Sequence, residues 1–196
     1  RNRFIADARM TDATAHLLAP ETAEKLAALI NPNAVIQDVT LITETVHKDT
    51  VYITVVDKDR MSVSLIYSIF NTFGSGISSN KFGILMHNRG AGFNLIPGHP
   101  NELRGGYRPM HTIIPGMLCK DGKPVMPFGV MGGQYQANGH ARVLTNMLDY
   151  GMAPQAALDA PRSFAELGHL KVERSYDPKE VQKLVDIGHK IKQDIK

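Results

Sequence analysis

The chain of 196 residues has no tryptophan and only one cysteine, Cys119. A single cysteine excludes an intramolecular disulfide framework and a metal site built from clustered cysteines. The sequence has no run of about 18 apolar residues, so we expect no membrane-spanning helix and no membrane partner. It also has no run of about five Lys or Arg, and its net charge is only +3. The composition therefore gives little support for a nucleic-acid partner.

Several motifs of metal and hydrolase chemistry are missing as well. The eight histidines include no HxxxH pair and no HExxH motif, so we expect no metal ion and no other cofactor. A GxSxG nucleophile elbow is absent, which argues against a serine hydrolase of the α/β type. The Gly-Ser-Gly at residues 74–76 opens no convincing helix, so a tight turn is favoured over a phosphate-binding loop.

The spacing of the hydrophobic residues, 43% of the chain, predicts helices, then strands, then helices again. A helix over 20–30 begins with Pro and Glu, and the aperiodic residues 33–49 are interpreted as a linker. Strict alternation predicts a hairpin of two strands at 51–56 and 61–69. Further strands are predicted at 83–87, 111–118 and 125–128, and further helices at about 143–148, 153–158 and 178–195. This order favours an α+β domain with an antiparallel sheet.

Two places in the chain have the residue types that acyl-transfer chemistry needs. Gly132 and Gly133 follow a predicted strand, and such a pair can present two outward N–H groups to an oxyanion; packing is the alternative reason for the glycines. Thr50 begins a predicted strand, which is ordinary for a threonine. If the bond before it were cleaved, its α-amine, with a pKa of about 7.7–8.0, could act as general base for its own hydroxyl.

A resemblance to a known family supports the hypothesis that Thr50 is a nucleophile. Residues 50–59, Thr-Val-Tyr-Ile-Thr-Val-Val-Asp-Lys-Asp, resemble the start of the small subunit of gamma-glutamyltranspeptidases. Further motifs follow in the family's order over roughly residues 50–165: Phe73–Ile77, Gly83–Asn88, Arg108-Pro109, Asp121–Lys123, Gly132-Gly133, Asp149–Gly151 and Ala160–Arg162. The resemblance implies an N-terminal-nucleophile hydrolase fold, an αββα sandwich of which this chain holds part.

The same resemblance implies an activity and a set of catalytic residues. The family's precursor, a zymogen, cleaves itself before a nucleophilic threonine, which corresponds here to the bond between Asp49 and Thr50. Thr50 would attack a γ-glutamyl amide, as in glutathione metabolism, and water or an amine would then take the acyl group. Ser68 would hydrogen-bond the nucleophile, and Gly132 and Gly133 would form the oxyanion hole.

The candidate substrate-binding residues depart from the family's pattern. Arg89 stands in the stretch where the family has a Gln and an Asp that receive the substrate's α-amino group. His111 and Thr112 replace a Ser-Ser pair that binds the α-carboxylate, and Phe70 replaces an Asn, with Asn71 adjacent. Because a buried ammonium needs an acceptor, we expect an acyl group without an α-amine, such as glutaryl, as in the transpeptidase-like or cephalosporin-acylase-like branch.

The resemblance also predicts the organisation of the precursor and its partners. Residues 1–49 would be the end of a large-subunit region, and residues 50–196 most of a small-subunit region that is truncated at its C-terminus. The expected partners are a small acyl donor, the large-subunit region of the same precursor and, in a homodimer, a second processed heterodimer. A non-catalytic binding descendant of the fold is the alternative. The compartment stays open between cytoplasmic and periplasmic or secreted, since no signal segment is visible.

Overall fold

The structure, a computed structural model, describes residues 4–36 and 49–194. Most of the predicted linker and Ile195, the last residue of the predicted C-terminal helix, lie outside the described residues. The chain forms two compact units, one made of Arg1–Thr11 and Thr45–Thr145 and the other of Asp12–Glu44 and Asn146–Lys196.

The first unit is built around the hairpin that the alternating pattern predicts. Strand β1 (Asp49–Val56) pairs antiparallel with β2 (Ser62–Phe70), and the register is regular except for a shift between Asp49 and Thr50. Asp57 stabilises the connecting turn, because its side chain accepts hydrogen bonds from the amides of Asp59 and Met61. Alternation then divides the hairpin into a hydroxyl-bearing face and an aliphatic face.

The two faces of this hairpin differ in exposure in an unexpected direction. The aliphatic face is exposed along its length; it consists of Val51, Ile53, Val55, Val63, Leu65 and Tyr67. The other face carries Thr50, Ser64 and Ser68, yet it also holds the buried Ile66 and Phe70. The hydroxyl-bearing face is therefore the one that packs against the rest of the unit.

A second hairpin follows, shorter than the sequence predicts. Strands β3 (Gly116–Lys120) and β4 (Lys123–Phe128) pair antiparallel across the predicted Asp121-Gly122 turn. The predicted strand start at 111 is wrong, since residues 111–115 are irregular. The predicted strand at 83–87 is also wrong, because its residues bond the adjacent loop through Ser79 and Ile77 instead of a strand. Helix α3 (Gln136–Leu148) begins after a short 3₁₀ turn at Gly133–Tyr135.

The second unit contains helices and a mixed three-stranded sheet. Its elements are α1 (Ala13–Leu18), α2 (Pro20–Ala28), α4 (Pro154–Asp159), β5 (Ser163–Glu166), β6 (His169–Glu173), α5 (Pro178–Asp186) and β7 (Ile191–Asp194). Strand β6 pairs antiparallel with β5 and parallel with β7, whereas we expected only antiparallel pairing. Within the described residues, no helix of either unit is long and apolar enough to cross a membrane.

The C-terminal helix starts as predicted but ends early. The Asp177 side chain caps α5 by accepting from the Lys179 amide at 2.8 Å, with Pro178 in the first turn. The predicted reach to residue 195 is wrong: the helix stops at Asp186, and Gly188 has φ 105°. Glycine adopts that backbone conformation readily, and the chain turns there. Ile191–Asp194 then joins the sheet as β7.

Candidate active site

The candidate nucleophile and its hydroxyl partner lie opposite each other in the first hairpin. Thr50 pairs with Ser68 across the β1–β2 ladder, and the Thr50 Oγ1 hydroxyl donates to Ser68 Oγ at 2.9 Å. The Phe70 amide donates to the same Ser68 oxygen at 3.1 Å. The register shift falls between Asp49 and Thr50, so the bond predicted to be cleaved lies at an irregular point of an otherwise regular ladder.

The hydroxyl-bearing face of the hairpin lies against the end of β4. Ser64 Oγ donates to the Phe128 carbonyl at 3.3 Å, and it lies 3.1 Å from the Tyr52 hydroxyl. A Cβ on Gly129 would lie 2.3 Å from the Tyr52 ring, so only glycine fits there. The chain therefore leaves β4 in contact with this face, and the Gly132-Gly133 turn follows within a few residues.

The glycine pair forms a turn whose backbone requires glycine. Gly132 has φ 119° and Gly133 has φ 55°, and the Tyr135 amide closes the turn on the Gly132 carbonyl at 3.0 Å. A Cβ on Gly132 would make only ordinary contacts, 3.4 Å from the Tyr135 side chain. Conformation rather than close packing thus explains Gly132. Within the described ranges neither amide N–H of the pair donates a hydrogen bond, and Gly133 is buried.

Arg89 is a buried cation with no counterion among the described residues. Only 7% of its surface is exposed, and its Nη1 donates to the buried Thr112 Oγ1 at 3.4 Å. The guanidinium carbon lies 5.2 Å from the centre of the Phe70 ring. Its Nη2 is buried and makes no hydrogen bond, and no carboxylate of the described chain pairs with it. Burial lowers the pKa of the guanidinium below its usual value, which is the direction expected for a desolvated cation.

Phe70 joins this arginine to the nucleophile pair. Its ring lies beside the guanidinium of Arg89, while its amide bonds Ser68 Oγ. Phe70 is buried and has φ 79°, a conformation that a bulky side chain rarely adopts. Contacts therefore run continuously from the Thr50 hydroxyl through Ser68 and Phe70 to Arg89.

The other predicted substrate-binding residues lie at different distances from this chain of contacts. Thr112 contacts Arg89 directly, as above. Asn71 follows Phe70, and its backbone N–H donates to Asn88 Oδ1 at 3.0 Å. The side-chain Oδ1 of Asn71 is buried without a partner in the described structure. His111 is exposed, and its Nδ1 accepts from the Ile113 amide at 3.3 Å. The structure thus places Thr112 and Asn71 beside Arg89 or its neighbours and shows no contact between His111 and Arg89.

Sequence reasoning missed Gln136, which lies next to the glycine turn. Its side chain has 0% exposure, Oε1 accepts from the Ile114 amide at 3.0 Å, and Nε2 is buried without a partner in the part of the chain described. A glutamine at the start of a helix is usually exposed, so no pattern in the sequence marked this residue.

Comparison with known proteins now places the chain. The family model described as gamma-glutamyltranspeptidase matches residues 1–196, the whole chain. The chain belongs to the gamma-glutamyltranspeptidase family. Among curated members it is 41% identical over 150 residues to the glutathione hydrolase-like YwrD proenzyme of Bacillus subtilis, which covers 74% of this chain and 29% of that protein. It is 35% identical over 151 residues to the oxamate amidohydrolase proenzyme of Klebsiella pneumoniae, covering 73% and 28%.

Solved structures of the family confirm the predicted N-terminal-nucleophile hydrolase fold. The cephalosporin acylase from Bacillus halodurans superposes with a TM-score of 0.86 and 37% identity, covering 99% of this chain and 35% of that one. A T380A mutant of the gamma-glutamyltranspeptidase from Helicobacter pylori gives a TM-score of 0.66 at 25% identity, covering 73% and 84%. The chain spans only 29% and 31% of the first curated relatives that it matches, so the activity of the whole protein is treated below as a proposal.

Proposed function

We propose that this chain is the region around the cleavage point of a self-processing amidohydrolase or acyltransferase with Thr50 as nucleophile. The observation that carries the proposal is the 2.9 Å hydrogen bond from Thr50 Oγ1 to Ser68 Oγ, made at the first regular position of β1. Cleavage of the Asp49–Thr50 bond would leave a large-subunit fragment ending at residue 49. Residues 50–196 would then belong to the small subunit, and the two fragments would stay associated as partners.

The chemistry follows from groups that lie on one face of the hairpin and in the turn after β4. The free α-amine of Thr50 would take the proton of Oγ1 as the oxygen attacks the acyl carbonyl. The Gly132 and Gly133 N–H groups would donate to the oxyanion that develops there. Removing one such donor usually costs about 2.7–4 kcal/mol of barrier. As the intermediate collapses, the Thr50 ammonium gives its proton to the leaving nitrogen, the C–N bond breaks, and an ester remains on Thr50. Water or a second amine then cleaves this ester.

The acyl group proposed for this site carries a terminal carboxylate and no α-amine. A carboxylate would pair with Arg89 and occupy its free Nη2, since guanidinium and carboxylate form strong charge-assisted hydrogen bonds. An ammonium in the same place would be repelled by Arg89. The name of the Klebsiella relative refers to oxamate, which has a carboxylate and no α-amine. Thr112 and Asn71 are proposed to complete this subsite, while His111 has only its neighbouring position in the sequence to support it.

Self-processing is tested by denaturing electrophoresis of the full-length protein. We expect two fragments from the wild type and one uncleaved chain from Thr50→Ala. Thr54→Ala is a matched control, because Thr54 lies on the same face of β1 opposite Ser64 and has no proposed role; it should be cleaved like the wild type. An uncleaved wild type would contradict the proposal and favour the non-catalytic descendant of the fold.

Acyl selectivity is tested with γ-glutamyl, glutaryl and butyryl amides of one aniline. We expect the glutaryl anilide to react with the highest kcat/KM, and Arg89→Ala to raise KM for the glutaryl compound but not for the butyryl one. An unchanged KM for the glutaryl anilide would refute the role of Arg89. Inactivity towards all three anilides would count against the enzymatic proposal itself.

A further inference from the structure

Residues 108–114, here called the strap, contact the turn that begins with Arg89 and the start of α3. A Cβ on Gly92, in the turn that begins with Arg89, would lie 3.1 Å from the Met110 carbonyl oxygen and 3.3 Å from Pro109 Cβ. Further along, the Thr112 hydroxyl accepts from Arg89, and the Ile114 amide donates to Gln136. The strap therefore packs tightly against the Arg89 turn and is tied to the start of α3.

The first residue of the strap, Arg108, is bound by Asp7, which lies in the N-terminal part of the chain. Asp7 is 8% exposed, and its Oδ2 accepts from the Arg108 amide at 2.9 Å. Its two carboxylate oxygens also accept from Arg9, through Nε at 2.8 Å and Nη2 at 2.9 Å. Arg9 in turn donates from Nη2 to the Gly106 carbonyl at 2.6 Å, and its guanidinium lies 4.1 Å from the centre of the Tyr107 ring. The Asp7–Arg9 pair thus holds three consecutive residues at the entrance to the strap.

We infer that Asp7 is a positioning residue for the acyl subsite, acting through the strap on Arg89. Within the described residues, the guanidinium of Arg89 makes a single hydrogen bond, and its acceptor, Thr112, belongs to the strap. A long side chain held by one bond keeps its direction only if the acceptor is itself fixed. Asp7 fixes the strap four residues before Thr112 through a charge-assisted hydrogen bond. The segment upstream of the proposed cleavage bond therefore contributes to substrate selection after cleavage.

The first experiment does not depend on catalysis. Hydrogen exchange of the full-length protein is compared for the wild type, Asp7→Asn and a matched control, Glu102→Gln. Glu102 also pairs with an arginine and accepts a backbone amide, but its partners Arg104 and Gly98 lie outside the strap. We expect Asp7→Asn alone to speed exchange at least about tenfold in residues 108–114 and 89–92. Faster exchange confined to residues before 109, or the same pattern in Glu102→Gln, would overturn the inference.

The second experiment rests on the proposed function and measures selectivity. We expect the ratio of kcat/KM for the glutaryl over the butyryl anilide to fall about tenfold in Asp7→Asn, as for loss of one hydrogen bond to a charged group. In an Arg89→Ala background the same change should have no further effect on the ratio. An equal loss for both anilides would show a merely structural role for Asp7.

The two experiments separate the inference from the proposed function. If the wild type hydrolyses neither anilide, the proposed function fails, while hydrogen exchange still decides whether Asp7 fixes the strap and the Arg89 turn. If Asp7→Asn does not fold, Arg9→Gln replaces it. That variant loses the Gly106 and Tyr107 contacts but keeps the bond between Asp7 and Arg108, so it should shift exchange in the same residues by a smaller factor. No shift in Arg9→Gln would overturn the inference.

Discussion

Replacing Arg89 with methionine should make the protein more stable and abolish the proposed preference for carboxylated acyl donors. Arg89 carries a buried Nη2 without a partner in the described structure, and such a donor costs about 1–3 kcal/mol of folding free energy. Arg89→Met removes that cost but also the Nη1 bond to Thr112, which at 3.4 Å is long for a bond to a charged group and is therefore taken as about 0.5–1.5 kcal/mol. The cation–π contact with Phe70 is exchanged for a sulfur–aromatic contact of similar size. The balance is a gain of about 1 kcal/mol.

The assay is urea unfolding followed by circular dichroism, with Thr50→Ala as the common background so that every sample is uncleaved. A gain of about 1 kcal/mol should move the midpoint up by about 0.3–1 M urea. Arg104→Met is the control, because Arg104 is a partly exposed arginine in an ion pair with Glu102, and such a surface change is usually worth within about 0.5 kcal/mol. Saturating glutarate should stabilise the background protein but not Arg89→Met.

Either of two results would refute the reasoning. If Arg89→Met lowers the unfolding free energy by more than about 1 kcal/mol, the guanidinium contributes to the fold and is not held in an unfavourable state for a ligand. If stability rises but glutarate stabilises both proteins equally, the cation is unfavourable yet does not bind the carboxylate. A gain in stability together with loss of the glutarate effect is the combination that the buried free Nη2 predicts.

Three further predictions follow from individual contacts. Ser68→Ala removes the oxygen that accepts from Thr50, so fragment formation on denaturing gels should slow at least about tenfold, and Ser68→Thr should restore much of it. Gly74→Ala should lower the unfolding free energy by more than about 2 kcal/mol in urea titrations, because φ is 55° and the new Cβ would lie 2.2 Å from the Met86 carbonyl oxygen; an effect below 1 kcal/mol would contradict this. Burial lowers the pKa of His140 in the folded protein. As pH falls below about 6.5, the unfolded state takes up the proton first, so the free energy of unfolding decreases. His140→Gln should make the unfolding midpoint fall less steeply over this pH range.

The first hairpin shows what the sequence could predict well. Alternation over residues 51–56 and 61–69 was enough for the two strands and the turn, whereas the direct pairing of Thr50 with Ser68 is seen only in the structure. The Asp177 cap of α5 was predictable for a similar reason, since a cap depends on its own neighbours. Features fixed by contacts within a few residues, or by one regular ladder, were thus visible in the sequence.

The wrong secondary-structure predictions lie where contacts with a distant segment, or a single backbone angle, determine the local structure. Residues 191–194 continue the helical spacing of α5, but the turn at Gly188 and pairing with β6 make them a strand. Residues 83–87 have strand composition, yet Met86 bonds Ser75 and Ile77 of the preceding loop. Tertiary contacts outweighed local propensity in both places.

In the candidate site, too, some features were predictable from the sequence and others required the structure. Comparison of residues with the family's pattern found Thr50, Ser68, Arg89 and Thr112 as separate positions, and their roles stay predictions. Only the structure shows that Arg89 has no counterion in the part of the chain described and that Thr112 is its hydrogen-bond acceptor. Asp7 could not have been found from spacing, because it bonds Arg108 across 101 residues of sequence.

Phe70 contacts both Arg89, the proposed acyl-binding residue, and Ser68, the partner of the proposed nucleophile. Its φ of 79° costs a bulky residue about 1 kcal/mol or more, whereas asparagine, which the resemblance places at this position in the family, adopts that region more readily. The ring centre lies 5.2 Å from the Arg89 guanidinium, and this cation–π attraction offsets part of that cost. The Phe70 amide meanwhile holds Ser68 Oγ, the acceptor of the Thr50 hydroxyl. We therefore expect a change at position 70 to affect both the proposed acyl subsite and the proposed Thr50–Ser68 pair.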